Sequence, residues 1–181
     1  ALTAAGVISL EDGAKIVSTR GKLMQNLAPE GNWSMAAIIG LEDEKVEEAC
    51  MKVTNGFVKA VNYNCPGQVV VSGEKEAVVE AMENVKELGA KRVIELKTSG
   101  PFHTEKLQKA SAELKKELEK IDFKNFEIPV IKNLNGEKYE EADDMADILA
   151  KHVVNPVKFG KSIEKMIEMG IDTFIEIGPG K

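Results

Sequence analysis

The chain has 181 residues, 43% hydrophobic and 30% charged, with a formal net charge of −6. This is a globular composition, enough for one ordinary domain or two small ones, and it argues against disorder and against a general nucleic-acid binder. No apolar run approaches the roughly 18 residues of a membrane span, no signal peptide is visible, and Cys50 and Cys65 fit no metal or disulfide framework. The expected setting is therefore cytoplasmic, with no metal, membrane or nucleic-acid partner.

Residues 10–26 read as a helix, with Ser9 as N-cap, Asp12 in the acidic N3 position, and Ala14, Ile16, Val17, Leu23 and Met24 as apolar contacts. Residues 27–34 are a loop rich in breakers. Met35 to Ile39 is a short apolar strand. Asp43 then caps a helix with Val46, Ala49, Cys50 and Val53 inward. Phe57 to Tyr63 is a strand, Asn64-Cys65-Pro66-Gly67 a turn, and Gln68 to Ser72 the next strand. Glu74 to Leu88 has helical apolar spacing and is closed by Gly89, and Arg92 to Leu96 is the last strand of the set. The order β-α-β-β-α-β is the ferredoxin-like split unit.

Beyond it, residues 105–121 form a helix with Leu107, Ala110, Leu114, Leu118 and Ile121 inward. Lys106, Lys109, Lys115, Lys116 and Lys120 lie on or beside its outer face. Ile128 to Leu134 reads as a strand and Asn135-Gly136 as a turn. A helix starts at Asp143 or Asp144, runs to about His152, and is broken by Asn155-Pro156. Gly160 to Met169 is a helix and Asp172 to Ile177 a strand. This alternation suggests a layered α/β body with parallel strands. The expected organisation is a large α/β domain in two parts, 1–34 and 98–181, with a ferredoxin-like subdomain, 35–97, inserted between them. Both ends read as cut. Ala1 to Gly6 looks like the tail of a helix, and Phe174 to Lys181 like a strand running into a glycine-rich turn.

Thr98-Ser99-Gly100-Pro101-Phe102-His103 puts a histidine in a Gly-Pro turn between a strand and a long helix. A surface loop histidine is the plain reading; a general base on a rigid scaffold is the functional one. No Gly-x-Ser-x-Gly nucleophile elbow is present, so the base has no partner to deprotonate. Arg20 reads either as a snorkelling or ion-paired side chain, or as a planar fork aimed at a carboxylate or phosphate, and spacing does not decide. Asn62 to Gln68 reads as a hairpin turn, and Cys65 has no basic neighbour in sequence to activate it. Gly178-Pro179-Gly180-Lys181 lacks the Walker spacing of a phosphate loop.

Taken together, the segments resemble the bacterial malonyl-CoA:acyl carrier protein transacylase family along the whole chain. Ala1 to Asp12 resembles the segment just after that family's Gly-His-Ser-Leu-Gly-Glu-Tyr elbow. Ser18 to Gln25 resembles its arginine helix, and Asn62 to Gly73 its Asn-x-Asn-x-Pro-Gly-Gln strand pair. Gly100-Pro101-Phe102-His103 resembles its histidine loop, and Asn155-Pro156-Val157 and Glu176 to Lys181 its two late motifs. The resemblance implies an incomplete α/β/α acyltransferase domain with the ferredoxin-like insertion, and transfer of a malonyl group through a serine acyl-enzyme. His103 would be the general base and acid. Arg20 would hold the malonyl carboxylate, and Phe102 would crowd the α-carbon against methylmalonyl groups. The backbone near His152 to Asn155 would orient the His103 ring. Malonyl-CoA and phosphopantetheine enter as substrates, with no resident cofactor. The implied partners are an acyl carrier protein, drawn to the lysines of the 105–121 helix, and a completing N-terminal polypeptide. The serine lies outside these residues, so the chain alone is expected to be inactive. The competing expectation is a non-catalytic binding module built on residues 35–97.

Overall fold

The computed structural model describes residues 1–97 and 100–178. Thr98 and Ser99 of the histidine loop, and Pro179 to Lys181 of the last motif, lie outside the described residues.

The first helix, α1 (Leu10–Asn26), begins where its cap predicts: the Ser9 hydroxyl accepts from the Asp12 N–H at 3.0 Å and donates to the Asp12 carboxylate at 2.7 Å. Next come β1 (Trp33–Ile39), α2 (Asp43–Met51), β2 (Val58–Cys65), β3 (Gln68–Glu74), α3 (Lys75–Glu87) and β4 (Arg92–Leu96). The four strands form one antiparallel sheet in the order β2-β3-β1-β4, the order a ferredoxin-like unit requires. Asp43 is the first residue of α2 rather than its cap. Glu42 occupies the cap position with no side-chain bond, and Asp43 acts instead as an acidic first-turn residue. The β2–β3 turn is tighter than expected. β2 runs through Cys65, and only Pro66 and Gly67 turn, which Gly67 permits with φ +75°.

Strand alternation divides the sheet into two faces. Ala36, Ile38, Val69 and Val71 point to α2 and α3, where they meet Val46, Ala49, Val78 and Val85 in the main core. Met35, Ala37, Val61 and Val70 form a smaller patch on the opposite face, with Leu96 and Phe102 packed on it. Each fully buried aliphatic side chain here contributes roughly 1.5–3 kcal/mol.

The remainder is mostly helical. A 3-10 turn (Glu105–Leu107) leads into α4 (Gln108–Leu118), followed by α5 (Met145–Lys151) and α6 (Phe159–Glu168). Met24, Leu107, Ala110, Leu114, Leu118, Ala150 and Val153 join α1, α4 and α5 in a second core. Asp144, not Asp143, caps α5, accepting from the Asp147 N–H at 2.9 Å, while Asp143 pairs with the buried Lys132 at 2.8 Å.

The strands expected at 128–134 and 172–177 do not form among the described residues. Ile131 makes one isolated bridge, to Lys138, and residues 172–177 have no regular secondary structure. A strand exists only through its neighbour's hydrogen bonds, and no neighbouring strand stands beside either segment here. Ile175 and Ile177 are accordingly 81% and 92% exposed. Val17, expected to be an inward contact of α1, is 71% exposed.

Candidate active site

His103 sits in the loop between β4 and α4, and its backbone is unusual. With φ +60° it is the one non-glycine residue of left-handed backbone among the described residues, a conformation that costs an L-residue roughly 1–2 kcal/mol. Its neighbours hold it there. The buried Thr104 donates its hydroxyl hydrogen to the Pro101 carbonyl at 2.7 Å and caps the following 3-10 turn. Gly100 leaves room for the Phe102 ring, which would lie 3.0 Å from a Cβ at that position.

The His103 Nδ1 lies 2.9 Å from the His152 carbonyl oxygen. A carbonyl only accepts, so Nδ1 carries the proton and Nε2 keeps its lone pair free, the tautomer a general base needs. Burial, opposed by the backbone bonds to His152 and Asn155 and reinforced by the Arg20 charge, holds the ring's pKa below the usual histidine value. His103 is therefore neutral at pH 7, ready to accept a proton.

The carbonyl that orients it is itself well anchored. His152 ends α5, and the Asn155 side chain donates to the Lys151 carbonyl at 2.9 Å. Two residues on, Val157 splices into the edge of the sheet: its N–H donates to Val61 O at 2.8 Å and its carbonyl accepts from Tyr63 N–H at 2.9 Å. Tyr63 also donates to Glu47 and carries Lys158 over its ring at 3.2 Å. Sheet, Asn-Pro-Val segment and His103 loop thus form one hydrogen-bonded frame.

A hollow of about 780 Å³ opens beside this frame, bordered by Arg20, His103, His152, Asn155 and apolar side chains of α1 and α4. Burial is the only influence resolved on the Arg20 guanidinium, and it lowers its pKa from a very high ordinary value. The group stays cationic, and no carboxylate of the described residues pairs with it. A planar cation and a neutral base thus face one cavity, able to hold an anionic acyl group and move a proton beside it.

The structure brings together four of the five expected residues. Phe102 differs: it does not border the hollow, and packs between the helical core and the small patch of the sheet. Three of the five lysines of residues 105–121 are matched by acids. Lys115 pairs with Asp147 at 3.0 Å, Lys116 with Glu113 and Lys120 with Glu117, each at 2.6 Å, and Lys106 lies over the Phe57 ring. Sequence reasoning missed the His152 side chain, for which only the carbonyl was expected. The signal was there: the chain has just two histidines, and the second stands three residues before Asn155-Pro156.

The profile of the acyl transferase domain matches residues 1–180. The chain belongs to the acyl transferase domain family. The malonyl CoA-acyl carrier protein transacylase of Bacillus subtilis (strain 168) is 43% identical over 183 residues, covering 100% of this chain and 58% of that protein. The crystal structure of the transacylase of the same name from Clostridium perfringens superposes with a TM-score of 0.94 at 46% identity, over 99% of this chain and 57% of that one. A malonyl transacylase solved with its type II polyketide-synthase acyl carrier protein gives 0.93 at 40% identity, covering 99% and 59%. This acyl transferase chain thus spans under three-fifths of the length of these relatives. The match runs across the helical part as well as the sheet, which disfavours an isolated binding module at residues 35–97.

Proposed function

We propose that this chain supplies the base and the carboxylate site for transfer of a malonyl group from malonyl-CoA to the phosphopantetheine thiol of an acyl carrier protein. The observation that carries the reading is the His103–His152 bond, which leaves a free Nε2 in the hollow that also holds the unpaired Arg20. The relatives' names supply the substrate and the carrier. The nucleophile is a serine in the part of the transacylases that this chain does not span.

His103 Nε2 takes the serine proton as the hydroxyl attacks the thioester carbonyl, and returns it to the departing CoA sulfur. In the second half-reaction it takes the proton of the pantetheine thiol, which attacks the acyl-serine, and returns it to the serine oxygen. Arg20 binds the malonyl carboxylate through two parallel N–H bonds, which favours a diacid over a plain acyl group. Phe102 does not border the hollow, so any effect on the α-carbon passes through the His103 loop beside which it packs. Malonyl-CoA and phosphopantetheine are substrates, and no resident cofactor is proposed. The expected setting is the cytoplasm; no helix of the described residues is long and apolar enough to cross a membrane.

The test is a chimera in which the part of the B. subtilis transacylase outside the match is joined to this chain. Malonyl transfer to a carrier protein is expected, with His103→Ala lowering kcat by at least a hundredfold, in the range general-base catalysis contributes. A chimera that folds and acylates its serine equally well with and without His103 would refute the assignment.

A further inference from the structure

The His152 ring is the one part of the site with no task so far. Its Nε2 is buried and has no hydrogen-bond partner, a cost of about 1–3 kcal/mol that folded proteins seldom leave standing. Burial, then the Arg20 charge, then the His103 ring push its pKa down to about 4. A neutral imidazole has one donor and one acceptor, and a guanidinium has donors only. The two border one hollow, each without a partner.

We propose that His152 is a positioning residue for Arg20: its ring keeps the proton on Nδ1, and the Nε2 lone pair accepts a hydrogen bond from the Arg20 guanidinium. The opposite tautomer would turn an N–H dipole toward a cation. One residue then serves both functional groups, its carbonyl aligning the base and its ring aligning the cation. The spacing between proton transfer and carboxylate binding is thereby fixed. With one N–H committed to His152, the guanidinium offers one remaining edge, enough for a single carboxylate. The bond is argued from the shared hollow and the unpartnered Nε2; its effect on malonyl binding rests on the function proposed above.

The chain has two histidines and two arginines, Arg20 and Arg92, so selective ¹⁵N labelling of the intact chain resolves each side chain. Long-range proton–nitrogen correlation at pH 7 is expected to show His152 protonated on Nδ1. The Nε2 signal should move to the position of an unbonded acceptor in Arg20→Gln, and stay in place in Arg92→Gln. A proton on Nε2, or an Nε2 signal indifferent to Arg20→Gln, overturns the proposal. In the chimera, His152→Leu is expected to raise KM for malonyl-CoA roughly tenfold, as loss of one hydrogen bond to a charged group does. It should leave the pH profile of kcat unchanged, because the carbonyl remains, and His152→Gln, which keeps an acceptor, should restore KM. If the nitrogen signals show the bond and KM does not move, the carboxylate reading of Arg20 fails and the bond stands.

Discussion

Lowering the pH from 7 to 5 should weaken this chain through one residue above others. The His152 ring is held to a pKa of about 4, against about 6.5 in an unfolded chain. The unfolded state therefore binds a proton that the folded state refuses. Stability is full above pH 6.5 and falls as pH drops through the window down to about 4. Integrated from pH 7 to 5, the difference in protonation amounts to about 2 kcal/mol. His103, whose pKa is also lowered, acts in the same direction. The informative comparison is therefore between two proteins rather than two pH values. Urea unfolding at pH 7 and pH 5 should show the unaltered chain losing about 2 kcal/mol more than His152→Gln, which has no proton to gain. Equal losses in the two proteins would mean that the ring is not buried against a cation, and the reasoning would fall.

Other expectations bear on the site. In the chimera, Arg20→Ala should lower kcat/KM for malonyl-CoA by roughly 30-fold or more, the value of a charge-assisted pair, and leave acetyl-CoA almost unchanged; an equal loss on both substrates would place Arg20 outside the carboxylate site. Phe102→Leu separates two roles for the ring: admission of methylmalonyl-CoA supports crowding of the α-carbon, whereas a lowered Tm with unchanged selectivity assigns it to packing alone. Lys106→Glu with Lys109→Glu should raise KM for the carrier protein in a salt-dependent way, while Lys116→Glu, whose charge is already matched by Glu113, should do little; an identical response from both variants would remove this face from docking.

Local signals were the legible ones. Ser9 and Gly89 mark helix ends by their own chemistry, and β4 has the predicted bounds because its apolar run is closed on both sides. Ile128 to Leu134 misled because its composition is that of a strand, whereas its state depends on a neighbour that composition does not supply. Val17 misled for the same reason, as an apolar residue on the right face of a helix whose face has no cover there. The His103–His152 contact spans 49 residues, and no spacing rule joins them, so that pairing came through resemblance. The His152 ring and the inward packing of Phe102 depend on where α5 and the sheet come to rest. Neither was readable before the fold.

The Val157 splice has a mechanical consequence. Two backbone bonds, at 2.8 and 2.9 Å, fasten the sheet edge to the segment that follows α5, and His103 is fastened to the end of that helix. Directional bonds of this kind resist sliding, so the His103 ring travels with the sheet as one frame. The Arg20 helix is attached differently: beyond the capping bonds at its own ends, to Ser9 and Leu27, α1 rests on side-chain packing among the described residues, with Met24, Leu23 and Ile16 against α4 and α5. Contacts without direction tolerate small shifts. Of the two walls of the hollow, the one carrying the cation is held by packing, and the proposed Arg20–His152 bond would be its one directional tie to the frame among the described residues.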